Sequence, residues 1–281
     1  MILIVDAGST KADWCLIDGK KIIMETATKG FNPYYYESSY LEDEIKKCVL
    51  PLLSSANVEK IYYYGSGCST ENKCIIIENV LRVFFKNAEI FVAHDLLGAA
   101  RALCGNYEGI ACILGTGSNS CYYDGEKVVE NVPSVGYMFG DHGSGTYLGK
   151  LLLRAYLLNE MPENIIKIFE KEYNYSLEEI LDHLYNKPNP NKFLSQFSYF
   201  CNQNIGDDFI NNLIRINFND FFKYQVSRYS KYKEVQICSL GSVGYFFRDF
   251  LDGVAEEWGV NIKKNIKTPI EGLIEYHKNN F

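Results

Sequence analysis

The first place in this chain where chemistry could be done is an aspartate that closes an apolar run and is followed within a few residues by a glycine, two hydroxyls and a lysine. Ile2-Leu3-Ile4-Val5 reads as a buried strand, Asp6 ends it, and Gly8-Ser9-Thr10-Lys11 turns the chain back into a second apolar strand through Trp14-Cys15-Leu16-Ile17. A strand-turn-strand of this composition sets backbone N–H groups, two hydroxyls and an ammonium beside one carboxylate. The donors suit phosphate oxygens and the carboxylate suits a hydrated magnesium ion, so the segment fits a nucleoside triphosphate with its metal. An ordinary hairpin with a polar tip has the same residues.

Three more glycine-bearing turns follow strands or open helices: Gly65 to Ser69, Leu114 to Asn119 and Leu240 to Gly244. Four such turns suggest one ligand gripped by backbone groups from several loops. Ala93-His94-Asp95 closes a strand and opens a helix. Asp95 suits two roles there: helix N-cap, or a general base at the carboxyl end of a strand, where open sheets bind ligands. His94 reads as structural or peripheral. Gly140-Asp141-His142-Gly143-Ser144-Gly145 precedes an amphipathic stretch. Asp141 reads either as that helix's cap or as part of a site that a ligand approaches closely over small residues.

The elements that must position these residues alternate along the chain. Strands are predicted at 2–6, 12–18 and 21–28 as an antiparallel meander, then a helix at 38–54 with Leu41, Ile45, Cys48 and Leu52 on one face. A strand at 60–64, a helix at 71–86, a strand at 89–93 and a helix at 95–104 follow, and this alternation predicts parallel strands. After Gly105-Asn106-Tyr107 the pattern restarts, with strands at 110–114, 120–123 and 127–132, which suggests an internal duplication. Helices are predicted at 142–158, 162–172, 176–186 and 206–229. A strand at 235–240, a helix from Gly241 through about Trp258, a strand at 262–266 and a closing helix from Pro269 to about Lys278 complete the chain. The stretch from Asn186 to Lys192, with Pro188 and Pro190, reads as a loop.

The bulk composition narrows the possible roles. The 281 residues are 47% hydrophobic and carry a net charge of −7, enough apolar surface for two domains and the wrong sign for a nucleic-acid or anionic-membrane partner. Neither a signal peptide nor a membrane span is predicted. The nine cysteines are scattered without a C-x-x-C pair, and read as reduced thiols of a cytoplasmic protein. The four histidines show no metal-ligand spacing. The runs Tyr34 to Tyr36 and Tyr62 to Tyr64 read as packing.

Asp-x-Gly-Ser-Thr-Lys, Gly-Ser-Gly, a strand-Asp-helix, Gly-Thr-Gly-Ser-Asn, Gly-Asp-x-Gly-Ser-Gly and a late Gly-Ser-Val, in that order, span essentially the whole chain. The chain thereby resembles the N-acetylglucosamine kinase group of the actin-like ATPase (sugar kinase) superfamily, the branch that includes the BadF/BadG/BcrA/BcrD-type ATPases. The resemblance implies an α/β fold of two actin-like, ribonuclease H-like domains with an interdomain cleft: residues 1–105 with 267–281, and residues 106–266. It implies ATP and magnesium as cofactors and a small-molecule sugar as partner, with no nucleic acid and no membrane, and is compatible with a homodimer. The implied reaction is phosphorylation of an amino-sugar hydroxyl, the one on carbon six foremost.

By the same resemblance Asp95 is the catalytic base and Asp6 the magnesium residue. Gly8, Ser9, Thr10, Lys11, Gly115, Thr116 and Gly117 line the phosphates, and Gly241 and Ser242 the adenosine. Asn32, Ser66, Gly67, Ser118, Asn119 and Asp141 hold the sugar. Two segments depart from the family pattern: Ser134-Val135-Gly136 stands where Gly-Trp-Gly is usual, and His142 stands where Glu is usual. An ATPase that activates a dehydratase is the second reading. A nucleotide- or sugar-sensing module is the third.

Overall fold

The structure is a computed structural model and describes residues 1–8, 10–53 and 56–280. The chain divides into two compact units, Met1–Tyr107 with Gly125–Val128 and Thr268–Phe281, and Glu108–Asp124 with Val129–Lys267.

The first unit is built on β1 (Ile2–Ala7), β2 (Lys11–Asp18), β3 (Lys21–Lys29), β4 (Lys60–Gly65) and β5 (Glu89–His94). The sheet order is β3-β2-β1-β4-β5. The three opening strands are antiparallel, and β4 and β5 lie parallel to β1. The second sheet uses β6 (Gly109–Leu114), β7 (Ser118–Tyr123), β8 (Val128–Glu130), β9 (Gln236–Leu240) and β10 (Ile262–Ile266) in the order β10-β9-β6-β7-β8. Antiparallel β6–β7 and parallel β6–β9 and β9–β10 repeat the directions of β1–β2, β1–β4 and β4–β5, and the strand order of the two sheets corresponds. Each parallel addition requires a crossover, and helices supply them.

The helix predicted at 38–54 is α1 (Ser38–Glu44), a π-helical turn at Ile45–Val49 and α2 (Leu50–Leu53). Its buried residues are Leu41, Ile45, Val49 and Leu53, whereas Leu52 is exposed. The π turn takes one extra residue, so every later side chain moves round by one position, and Val49 and Leu53 occupy the places expected for Cys48 and Leu52. Pro51 gives the reason. Its ring would clash with the carbonyl four residues back in a regular helix, and the wider turn relieves it, with the Leu50 N–H donating to Ile45 O instead.

The first unit continues with α3 (Glu71–Phe84) and α4 (Asp95–Cys104). The closing helix, Ile270–Asn280, packs on α4 in this unit. There the buried Tyr64 hydroxyl meets His277 Nε2 at 2.9 Å and accepts from Arg101 at 2.8 Å.

In the second unit several predicted boundaries change. The predicted helix 142–158 begins at Gly145 (Gly145–Leu157), because Ser144 is its cap and accepts the Tyr147 N–H. The predicted helix 206–229 is Asp208–Tyr224, capped by Asp207. A helix absent from the sequence reading runs Pro190–Gln203, so the loop expected to extend to Lys192 ends at Asn189. Pro190 signals a break, but at the first helical position its fixed φ suits the start of a helix. Phe193, Leu194, Phe197, Phe200 and Cys201 bury one face of this helix at helical spacing. Truncating a fully buried ring such as Phe197 to alanine costs about 3–5 kcal/mol. The segment expected to form one helix from Gly241 is split into Ser242–Phe246 and Arg248–Glu257.

Candidate active site

In the first unit, β1, β4 and β5 end in register: Ala7 pairs with Gly65, and Gly65 with His94. Their carboxyl ends therefore present Asp6 to Gly8, Gly65 to Gly67 and His94-Asp95 side by side, the edge at which open α/β sheets bind ligands. The Ser66 N–H donates to Ala7 O at 2.8 Å, tying the first two ends together. The Gly8 N–H donates to Lys11 O at 2.9 Å and closes the β1–β2 turn. Thr10 is exposed at the tip, and Ser9 lies outside the described residues. Lys11 Nζ pairs with Asp13 at 2.6 Å rather than with Asp6.

The Asp6 carboxyl is pushed up to about 8. Part of the residue reaches solvent, yet dense surroundings desolvate the carboxyl, and this is the main cause. The negative charges of Asp95 and Asp13 add to it, and Lys11 opposes it. The site is thus short of positive charge around Asp6. Among the described residues no group of three or more His, Cys, Asp or Glu could hold a metal ion by itself.

Asp95 is not the cap of α4. His94 is the N-cap residue: its Nδ1 accepts the Leu96 N–H at 3.1 Å, and Asp95 occupies the first helical position. His94, read as structural or peripheral from the sequence, caps the helix and lies beside Asp95. Asp95 Oδ1 lies 2.7 Å from His94 Nδ1, but the in-plane lobe of that nitrogen is turned to the Leu96 amide. Among the described residues this buried carboxylate oxygen accepts no hydrogen bond.

Asn32, Ser66 and Gly67 come together at the same edge. Asn32 is buried, and its Oδ1 accepts the Tyr34 N–H at 3.0 Å. Gly67 sits at φ +81°, where a Cβ would stand 2.4 Å from Asn32 Oδ1. Lys73 of α3 donates to Pro33 O at 2.9 Å, and Tyr34 meets Ser69 at 3.0 Å, which fastens the Asn32 turn to the segment after β4.

In the second unit, β6 and β9 end side by side, and their turns pack backbone against backbone. Gly241, at φ +114°, lies so close to Leu114 O that a Cβ would stand 2.3 Å from it. The Gly115 N–H donates to Gly117 O at 3.0 Å, and Thr116 is exposed. The turn is held from below by the start of helix Gly145–Leu157, where the Gly145 N–H donates to Gly115 O at 2.9 Å and Thr146 Oγ1 to Thr116 O at 2.6 Å. Thr146 Oγ1 also lies 3.1 Å from Asn191 O, so the helix that the sequence reading lacked supports this turn. Ser242 is exposed at the start of its short helix.

Ser118 and Asn119 belong to β7 rather than to the turn before it. Asp141 is not a helix cap either. It sits at φ +57°, its carboxylate buried beside Gly117 and accepting the Ser118 N–H at 3.4 Å. Burial raises its pKa, against the Ser118 N–H and the Lys150 charge. Asn119 Oδ1 accepts from Ser120 N and Asn131 Nδ2 at 2.9 and 3.0 Å, so its amide NH2 is the end that can face a ligand. Lys150, Asn131 and Asn217 escaped sequence reasoning. Lys150 donates to Tyr137 O at 2.6 Å and anchors the strand of chain before Asp141, and Asn217 Oδ1 accepts the Gly143 N–H at 2.9 Å. They lie outside any motif and act on backbone or side-chain amide groups far along the chain, so no local signal marks them. His142 lies between Tyr147 and Tyr224, with burial lowering its pKa.

The chain is similar to solved structures over its full length. A protein of Porphyromonas gingivalis provisionally assigned as an N-acetylglucosamine kinase is 39% identical, with 100% of this chain and 99% of that one covered and a TM-score of 0.94. A protein of Chromobacterium violaceum with the same provisional assignment is 15% identical over 98% of each chain, with a TM-score of 0.70. A ROK family glucokinase of Streptomyces griseus, solved with glucose and AMPPNP, is 14% identical over 98% of this chain and 97% of its own, with a TM-score of 0.63. The last two show a shared two-domain sugar-kinase fold. No protein-family model and no curated protein matches the chain.

Proposed function

The chain belongs to the N-acetylglucosamine kinase-like family of the Porphyromonas gingivalis protein, and from that premise we propose that it transfers the γ-phosphoryl group of ATP to a hydroxyl of an amino sugar. The carbon-six hydroxyl of N-acetylglucosamine or a close relative is the acceptor this reading favours. The observation that carries it is the unpaired carboxylate oxygen of Asp95, buried at the carboxyl ends of parallel strands and relieved of capping by His94. A buried acceptor left without a donor is costly unless a ligand supplies one, and a sugar hydroxyl is such a donor.

Asp95 accepts the hydroxyl proton as the sugar oxygen forms its bond to the γ-phosphorus and the bond from that phosphorus to the β-phosphate oxygen breaks, releasing ADP. Asn32, Ser66 and Gly67 orient the sugar, joined by Ser118, Asn119 and Asp141. The turns at Gly8 to Lys11 and Gly115 to Gly117 offer backbone N–H groups to phosphate oxygens, and Gly241-Ser242 gives room for the adenosine. Magnesium, when bound with the nucleotide, neutralises phosphate charge. Asp6 would hold it, as a single carboxylate in surroundings short of positive charge.

A coupled ADP-release assay over glucose, glucosamine, N-acetylglucosamine, N-acetylmannosamine and N-acetylmuramic acid tests the proposal. Sugar-dependent ADP release matched by a phosphorylated amino sugar is expected. Mismatched sugars leave buried polar groups unpaired at about 1–3 kcal/mol each, so two mismatches give roughly 30- to 10,000-fold discrimination. ADP release indifferent to every sugar would sink it.

A further inference from the structure

We propose that His94 is the positioning residue of the catalytic carboxylate: its neutral ring caps α4 and donates nothing to Asp95 Oδ1, which keeps that oxygen available as acceptor for the sugar hydroxyl, and protonation of the same ring pairs the oxygen instead. The inference rests on the reading of Asp95 as general base. Its geometry is local and specific. Nδ1 of His94 takes the Leu96 N–H at 3.1 Å while lying 2.7 Å from Asp95 Oδ1. A ring nitrogen has a single in-plane lobe. With the proton on Nε2, that lobe is a lone pair and the helix amide fills it. Oδ1 then faces a nitrogen that cannot donate to it, and among the described residues no other group does.

Adding one solvent proton to Nδ1 reverses this arrangement. The nitrogen becomes a donor, the bond from the Leu96 N–H is lost, and a turn of the ring brings the new N–H onto Oδ1, which lies 2.7 Å from Nδ1. Asp95 is then engaged in an ion pair and cannot take the hydroxyl proton. Among the described residues the only charged group acting on the His94 ring is Asp95, and the other titratable groups that feel the Asp95 charge are Asp6 on β1 and Cys68 after β4. Burial, the largest influence on His94, lowers its pKa, but the hydrogen bond and charge of Asp95 together outweigh it, so the ring titrates above its ordinary value. The oxygen is therefore closed off at acid pH and is freed as the pH rises through a midpoint above the ordinary imidazole value.

Asparagine separates the two roles, because its amide oxygen is a good cap and does not take up a proton. The test has two arms on the full chain. Ring-nitrogen NMR of the four histidines, with His94 assigned by its loss in His94→Asn, reads tautomer and titration without any turnover. The expected result is an Nε2–H tautomer at high pH and a midpoint that falls in Asp95→Asn. An Nδ1–H tautomer, or a midpoint unmoved by Asp95→Asn, would overturn the proposal even if no sugar were phosphorylated. The second arm is the pH profile of kcat/KM with magnesium-ATP and N-acetylglucosamine, each variant scaled to its own plateau. In His94→Asn the acid limb moves to lower pH, and the scaled rate at about pH 5.5 rises several-fold. An unmoved limb in an active variant would assign that limb elsewhere and remove His94 from the mechanism.

Discussion

Gly67 is pressed against the side-chain amide of Asn32, so closely that a Cβ on Gly67 would stand 2.4 Å from Asn32 Oδ1, and its φ of +81° is one that L side chains rarely adopt. The loop after β4 and the turn after β3 thus hold each other in place. Gly67→Ala is expected to displace the Asn32 amide and to cost about 1–2 kcal/mol in backbone strain. The sugar KM is expected to rise about tenfold or more, with a far smaller change in the ATP KM. Steady-state titration of each substrate checks this, and equal effects on both would contradict it.

Asp95→Asn is expected to lower kcat by about 100- to 10,000-fold while leaving nucleotide affinity nearly intact. Because His94 supplies the cap, the variant should keep its melting temperature, unlike one that has lost a helix cap. Single-turnover transfer, nucleotide titration and thermal melting separate the possibilities. A near-normal rate would remove Asp95 from the chemistry.

Asp6, held at about 8 in the free protein, is mostly protonated at neutral pH and becomes a carboxylate when a cation arrives. Magnesium-nucleotide binding should therefore release a proton. The release approaches one proton near pH 7 and falls towards zero above about pH 9, where the free carboxyl is already ionised. Calorimetry in buffers of different ionisation enthalpy measures it. Asp6→Asn should abolish the release, and a wild-type binding heat independent of buffer would count against the role.

Gly241→Ala puts a Cβ 2.3 Å from Leu114 O at a φ of +114°, a backbone region held almost only by glycine. The clash is with backbone, which has little room to give. Separation of the ends of β6 and β9, a loss of about 2 kcal/mol or more in stability and a raised ATP KM are expected. Thermal melting together with nucleotide titration checks both, and an unchanged ATP KM would detach this turn from the nucleotide.

Much of the candidate site was legible because it is local. Strand periodicity, glycine spacing and the Asp-Gly turns are set by residues within a few positions of one another, and they were enough for both opening meanders and for all four glycine-bearing turns. The repeat of one five-strand topology was foreshadowed by the restart at Ile110, although the residues themselves differ. Even the closing helix after Pro269 announced itself, since proline there marks a first turn.

Tertiary structure decided what depends on partners far along the chain. Nothing near Asp95 tells whether it or His94 caps α4, because both can accept the amide and only the folded backbone selects the imidazole. Asp141 reads as a cap until Ser144 is seen to do that work, which releases the carboxylate towards Ser118. Lys150, Asn131 and Asn217 bind distant backbone and amide groups, so no local pattern marks them. The helix at Pro190–Gln203 was masked by the prolines and asparagines around its start, and its aromatic face gains stability only by burial against a core assembled from the rest of the unit. Sequence determined the glycine-bearing turns at the strand ends and the carboxylates available for chemistry. Packing determined which carboxylate oxygen is left unpaired, since that depends on which donors the completed fold brings within reach.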